Sequence, residues 1–501
     1  MSRSREIELK LELEPGSSGL LARHPLLAGG PAKTADQVST YYDTPQGAIR
    51  AAGFSLRVRE ARGKFIQTVK QSDGPAAGLF DRSEWEREIA GADIDFDAAA
   101  ETPLGEVLGK KNRKRLEPLI RVEVRRSVWN VHTDTGEIEL ILDEGTVTGG
   151  GNSQTIAEVE IELKRGAASE LIELARELGR VAPLRLGVLT KAERGYRLAE
   201  GSAGKVLKAE PIELRPGMSA AEGFAAIAYA CLRHFRINED IVVARQDPAS
   251  LHQARVAMRR LRSAFTLFRP VIADEAYQRL REEVRWFTDQ LGDARNLDVL
   301  LKRFGSEKGA EAERLRERLT AEREAAYAQV LDALGSERLR TLMIDIVGWI
   351  ETGAWREQND MARLALPEYA RSQLDKRWRK VKKGGKALAK LDPEPRHQLR
   401  IEVKKLRYAV EFLASLTSGQ AALQRQKAFV DALEEMQEQL GELNDAETAR
   451  NLLTNLLSGD EDAQIARYVG DRIAVPETED VQLSAAQKAH AALLAAGPFW
   501  R

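Results

Sequence analysis

Near the start of the chain, Glu6, Glu8 and Lys10 alternate with Ile7, Leu9 and Leu11. In an extended strand, a period of two sets both carboxylates and the ammonium on one face and the aliphatic side chains on the other. Carboxylate oxygens suit a hard divalent cation, and an ammonium beside them suits a polyanion. The charged alternation recurs downstream. Arg57 and Arg59 share one face of Phe54–Arg59, and Ile66, Thr68 and Lys70 share one face of Phe65–Lys70. Arg82, Glu84, Glu86 and Glu88 are in phase, as are Glu137, Glu139 and Asp143, and Glu158, Glu160 and Glu162. Leu119–Val131 holds Arg121, Glu123, Arg125 and Arg126, and Leu189–Tyr196 adds Lys191 and Arg194.

These side chains need strands and turns to carry them. Arg62-Gly63-Lys64 reads as a hairpin turn and Pro15-Gly16-Ser17-Ser18-Gly19 as another turn. Residues 92–117 are polar and helix-compatible, and Ser169–Leu178 is an amphipathic helix with Leu171, Leu174, Ala175 and Leu178 inward. An open sheet with its charged face in water would give this pattern. So would a closed barrel with its polar face inward and helices over its apolar outside. A barrel lined by Glu and Lys or Arg is a wet tunnel, with carboxylates for metal and cations for phosphates.

The motifs resemble the CYTH domain, the triphosphate tunnel metalloenzymes. Glu6-x-Glu8-x-Lys10 matches the family's ExExK signature. The match continues through Tyr42-Asp43-Thr44, Leu56-Arg57-Val58-Arg59, Thr68-Val69-Lys70, Arg82-x-Glu84-x-Glu86, Leu142-Asp143-Glu144-Gly145, Glu158-x-Glu160-x-Glu162 and Thr190-Lys191-Ala192-Glu193-Arg194-Gly195-Tyr196. Thr190 stands where the family commonly has Ser. The resemblance implies an eight-stranded antiparallel tunnel, with helices outside, that hydrolyses or cyclises triphosphates with Mg2+ or Mn2+. Glu6, Glu8, Glu160 and Glu162 would hold metal. Lys10, Arg57, Arg59, Lys70, Arg126 and Lys191 would grip phosphate, with Arg125 and Arg126 competing for one family position. Glu6, Glu8 and Lys10 would be the catalytic set. Glu84, Glu86 and Asp143 fit a direct role and a supporting one equally. No Gly-rich Walker loop, Ser-His-Asp set or CxxC is evident.

Small and polar residues break the chain after Ala199, and beyond residue 210 the pattern turns helical. Ser219 is a candidate N-cap with Glu222 three residues on. HQARVAMRRLRSAFTLF at 252–268 then recurs as HQLRIEVKKLRYAVEFL at 397–413, with 6 of 17 positions identical, too many to ignore as an internal duplication. Asp247-Pro248 and Asp392-Pro393 precede the copies, and Leu291–Asn296 and Leu440–Asp445 echo each other after them. His252, Arg255, Arg259 and Arg262, and in the second copy His397, Arg400, Lys404 and Arg407, fall on one helical stripe. A stripe of cations is stable beside neighbouring carboxylates or beside a bound anion. Two copies at identical offsets favour an anion groove. These residues, with Arg260 and Lys405, resemble the CHAD domain, a duplicated all-helical module associated with inorganic polyphosphate and polyphosphate granules.

The expected organisation is therefore an α+β two-domain chain. A tunnel domain spans 1–203, a linker 204–217 and a duplicated all-α bundle 218–501, with repeats at about 218–350 and 360–500. The whole resembles bacterial CYTH-CHAD inorganic triphosphatases. Net charge is only -1, and Lys+Arg against Asp+Glu runs 29 to 32 over residues 1–200 and 47 to 45 over 201–501, so any anion site must come from local clustering. That weighs against nucleic acid as a partner. Cys231 is the only cysteine and reads as a small core residue, which suits a reducing cytosol. No signal segment or apolar run long enough to span a bilayer is apparent, so a soluble cytoplasmic protein is expected. The expected partners are inorganic triphosphate and polyphosphate. A nucleotide or thiamine triphosphatase, an adenylate cyclase, and a non-catalytic polyphosphate scaffold are the alternatives.

Overall fold

The computed structural model describes the chain apart from residues 1, 15, 22, 29–31, 72–75, 134, 387, 389–390, 458–462 and 474–475, and apart from the side chains at 2–3, 28, 393, 442–451, 455, 463 and 471–480. The charged alternations become antiparallel strands: β1 (Ser2–Glu12), β2 (Lys33–Asp43), β3 (Phe54–Ala61), β4 (Lys64–Gln71), β5 (Leu79–Ile89), β6 (Glu117–His132), β7 (Glu137–Gly149) and β8 (Asn152–Arg165). They run in the order β5-β4-β3-β2-β6-β7-β8-β1, and pairing of β1 with β5 closes the barrel. The short β9 (Arg185–Leu186) adds to β1. Two tight hairpins use left-handed backbone. Arg62 (φ 51) and Gly63 (φ 74) join β3 to β4, and Gly150 (φ 57) and Gly151 (φ 79) join β7 to β8. Paired positive φ values match the twist of the flanking strands.

Register decides which side chains meet. On β1, Glu6 lies opposite Arg82 of β5, while Glu8, Lys10 and Glu12 lie opposite Glu162, Glu160 and Glu158 of β8. Arg57 faces Tyr41 and Thr68, Lys70 faces Glu84, and Arg126 faces Asp143. The alternate residues Leu9, Leu11, Val159 and Ile161 are buried on the outside. The helix Ala168–Val181 covers this face, with Leu171, Leu174, Ala175 and Leu178 buried as its spacing requires. A second outer cluster joins Ile49, Leu56, Val69 and Trp85 to Ala99, Leu104 and Leu108 of the 92–117 segment.

Leu189–Tyr196 departs from the strand series. Lys191–Ala199 is a helix, capped by Thr190, whose hydroxyl accepts from Glu193 N (3.1 Å) while its own N–H donates to Glu193 Oε2 (2.8 Å). Its Ala192, Tyr196 and Leu198 pack with Tyr41, Ile120, Val122, Val124, Val147 and Ile156. Ile120, Val122 and Val124 have the same parity as Arg126, so one stretch of the lining is apolar and holds this helix. Asp43, in the Tyr-Asp-Thr motif, accepts from Thr44 N, Ile49 N, Arg50 N and Tyr196 Oη, which makes it an architectural clasp.

The compact units do not follow chain order. The barrel unit comprises 1–208, 232–245 and 334–353, and the second unit 209–231, 246–333 and 354–501. Within the barrel unit, the helix Glu337–Thr352 packs on Ala168–Val181 through Arg176–Asp345 (2.8 Å) and Gly348, where a Cβ would strike Ile172. The second unit is helical throughout its named elements. Its helix Pro248–Ile272 starts at Asp247, whose carboxylate accepts from Ala249 N and Ser250 N, and Asp392 holds the same place before Pro393–Phe412. The Asp-Pro echo is thus a helix-start signal. Phe224, Phe268 and Tyr369 form part of its aromatic core, with Phe268 and Tyr369 stacked at 5.1 Å. Of the second echo, Glu442, Leu443, Asn444 and Asp445 lie outside the described side chains. Among the described residues, no helix is long and apolar enough to cross a membrane.

Candidate active site

Period-two burial brings most of the charged series into one enclosed space. Glu6, Glu8, Lys10, Asp143, Glu158, Glu160 and Lys191 are all buried. Unpaired charges could not persist there, and they are cross-linked. Lys70 Nζ lies 2.7 Å from Glu6 and 3.0 Å from Glu84. Arg82 donates to Glu6 (2.9 Å) and Glu8 (2.6 Å). Lys10 pairs with Glu158 (3.1 Å) and Glu160, and Lys191 with Asp143 (2.7 Å), Glu160 (2.9 Å) and Glu158. Arg126 forks onto Asp143 (2.8 and 2.6 Å) and reaches Glu160 (3.2 Å), while Arg125 is exposed.

The charges do not cancel evenly. Burial alone would raise the Glu6 carboxyl, but Lys70 and Arg82 hold it well below the usual range. Burial raises Glu8, with Glu160 and Glu6 adding to the rise and Arg82 and Lys10 failing to offset it. Glu8 is therefore short of positive charge. Burial likewise raises Glu162, which pairs with Lys164 (2.6 Å) beside Glu6 and Glu139. Across the barrel the imbalance reverses. Burial, with Arg57 and Arg126 nearby, pushes the Arg59 guanidinium down to about 10 despite Glu86 at 3.4 Å. Arg57 Nε is buried without a hydrogen-bond partner. The tunnel thus leaves Glu8 short of positive charge and Arg59 short of negative charge.

The donors fit a hard divalent metal. They are all carboxylate oxygens, Arg82 and Lys10 only partly compensate Glu8, and Glu158 Oε2 is buried with no partner. Asp143, Glu158 and Glu160 bring ligand atoms within 4.8 Å of one another, although the ammonium groups of Lys10 and Lys191 already sit among them. Arg82 and Glu158 are the tunnel groups that the sequence reading left without a role. Their in-phase positions were visible, and their partners depended on the β1–β5 and β1–β8 registers.

In the second unit, His252, Arg255, Arg259 and Arg262 lie along Pro248–Ile272. Burial, Arg295, Arg259 and Arg255 push His252 down to about 4. Burial lowers Arg255 also, where Arg259 and Arg295 outweigh Asp289 and Asp293, and its Nε is buried without a partner. Arg260 lies elsewhere, buried against Glu411 (2.6 Å) and over the Phe412 ring. Among the described residues, the second copy has partners on its own helix and beyond it. Lys405 binds Glu402 (2.7 Å), Arg407 binds Gln437 (2.7 Å) and Glu411, and His397, Arg400 and Lys404 are all engaged.

Two family models match this chain, the CYTH domain at residues 4–196 and the CHAD domain at residues 226–454. An inorganic triphosphatase of Haemophilus influenzae is 25% identical over 206 residues, which cover 39% of this chain and 55% of that protein. The chain therefore spans about half the length of that relative. The crystal structure of the CHAD domain from the plant Ricinus communis is 27% identical, covers 57% of this chain and 96% of that one, and superposes with a TM-score of 0.51. The tunnel strands and both cationic helices fall within the matched spans, and the chain carries a CYTH domain followed by a CHAD domain.

Proposed function

We propose that the chain is a divalent-metal-dependent inorganic triphosphatase that hydrolyses tripolyphosphate in its tunnel and binds polyphosphate on its helical half. One observation carries this reading: a buried carboxylate, Glu8, short of positive charge and a half-buried guanidinium, Arg59, crowded by Arg57 and Arg126 share one barrel. A metal–triphosphate complex supplies both. Glu6, Glu8, Glu160 and Glu162 hold Mg2+ or Mn2+. A bound divalent cation polarises phosphoryl oxygen and acidifies water. Lys10, Arg57, Arg59, Lys70, Arg126 and Lys191 grip phosphate oxygens, Lys10 and Lys191 from the β1–β8 wall. Phosphoryl transfer asks mainly for such positioning and neutralisation. Residues 1–203 supply this chemistry, 204–217 connect, and 218–501 carry the polyphosphate face. A cytoplasmic protein that meets polyphosphate granules follows from the same reading.

Phosphate release from tripolyphosphate, ATP and thiamine triphosphate, each with Mg2+ and Mn2+, tests the assignment. Tripolyphosphate is expected to turn over fastest. Conversion of ATP to cyclic AMP with tripolyphosphate untouched would sink it.

The helical face makes a separate prediction. His252 is held near 4, below its unfolded value, so the free protein loses stability from this group as pH falls from about 6.5 toward 4. A bound polyanion raises the imidazole, so that His252 takes up a proton on binding. Polyphosphate affinity should therefore strengthen from pH 7.5 to 5.5, and His252→Gln should flatten that gradient in a titration. An identical gradient in the variant would remove His252 from the binding face.

A further inference from the structure

We propose that Arg233 and Arg236, on the helix Ala220–Arg245, are positioning residues that fix the first turn of the 191–199 helix and so hold Lys191 at its place in the tunnel. The proposal rests on the triphosphatase reading above. Both arginines fall within the CHAD match, yet both lie in the compact unit that contains the barrel. Arg233 donates to Val188 O (2.5 Å) and to Glu193 Oε1 (2.8 Å). The other Glu193 oxygen closes the Thr190 cap, so one guanidinium grips the turn before Lys191 and the residue that caps it.

Arg236 works from the other side. It is 1% exposed, and it donates to Leu186 O (2.8 Å), Glu12 (3.2 Å), Asp240 (3.3 Å) and Glu239. Glu12 in turn holds Arg194, one turn beyond Lys191. The anchored groups therefore bracket Lys191 from Leu186 to Arg194. A buried ion network alone is weak evidence for stability, because desolvation offsets much of its attraction. What distinguishes this one is its targets. They flank the single residue whose ammonium meets Asp143, Glu158 and Glu160.

The test uses the full chain with Arg233→Met, Arg236→Met, Lys191→Met and the Arg233→Met/Lys191→Met double variant. Arg233→Met is the informative one, since its side chain is 15% exposed and its loss is the more easily tolerated. Amide hydrogen exchange should accelerate across residues 186–199 and stay unchanged in β3 and β4. The tripolyphosphate KM should rise about tenfold with a smaller change in kcat, as expected when a phosphate-binding group is misplaced. Arg233→Lys should restore part of the loss. In the Lys191→Met background Arg233→Met should cost nothing further. Additive losses, or unchanged exchange over 186–199, would overturn the clamp. A wild-type chain that leaves tripolyphosphate intact would refute the triphosphatase reading instead, and the exchange result would still decide the clamp.

Discussion

Glu8→Gln is expected to lower metal-dependent tripolyphosphate hydrolysis by about 10³-fold, the order seen when one buried charge-stabilising group is removed from a phosphoryl or acyl transfer site. Amide and carboxylate have nearly the same shape, so the loss reports charge. Two further readouts separate it from misfolding. Burial, Glu160 and Glu6 raise the Glu8 carboxyl, so its ionisation increasingly opposes the metal-free fold as pH climbs above the ordinary carboxylate range. Without metal at pH 7.5 the variant should therefore melt no lower than wild type, and Mg2+ or Mn2+ should raise its Tm less. Polyphosphate retention by the helical half should be unaffected. Full hydrolysis by Glu8→Gln, in the same assay, would remove the metal assignment.

The ion pairs also say how the tunnel is emptied and filled. Lys70 rests on Glu6, and Lys10 and Lys191 rest on Glu160. Without ligands, these carboxylates and ammonium groups partly neutralise one another. On the proposed triphosphatase reading, metal would free the cations for phosphate, and phosphate would free the carboxylates for metal. Each should tighten the other, because a coupling of this kind is reciprocal.

Much of this was legible from period two alone. Glu6, Glu8 and Lys10 face inward because Leu9 and Leu11 need a covered outside, and the 168–181 helix supplies it. Lys191 was legible through the Thr190–Tyr196 motif rather than through strand alternation. Lys191 and Arg194 have opposite parity in a strand, and Thr190 with Glu193 forms a capping box, the short signal of a helix. Arg125 and Arg126 are adjacent, so composition could not choose between them. The register opposite Asp143 does. Arg260 matches the repeat as well as Arg259 does, yet about 100° of helical rotation sends it to Glu411. The interleaving of 232–245 and 334–353 with the barrel has no local signature at all, since it depends on long-range packing.

The two helical repeats look equivalent in sequence, and their charges are not equally spent. His252 and Arg255 are half-buried beside cations that lower both, Arg259 and Arg295, while Lys404 is engaged and Lys405 and Arg407 sit on Glu402 and Glu411. A group freed from repulsion by an anion contributes more than one that must first leave a partner. Arg255→Glu with Arg259→Glu should therefore weaken polyphosphate binding roughly a hundredfold and flatten its salt dependence, as expected when cations facing a polyphosphate are lost. Lys404→Glu should cost less. Both variants should hydrolyse tripolyphosphate at the wild-type rate. Equal losses in the double reversal and in Lys404→Glu, measured by retention on immobilised polyphosphate over a salt series, would show that both repeats share the ligand. Undiminished retention in the double reversal would move the binding face off Pro248–Ile272 altogether, because no polyanion could bind there against two added carboxylates.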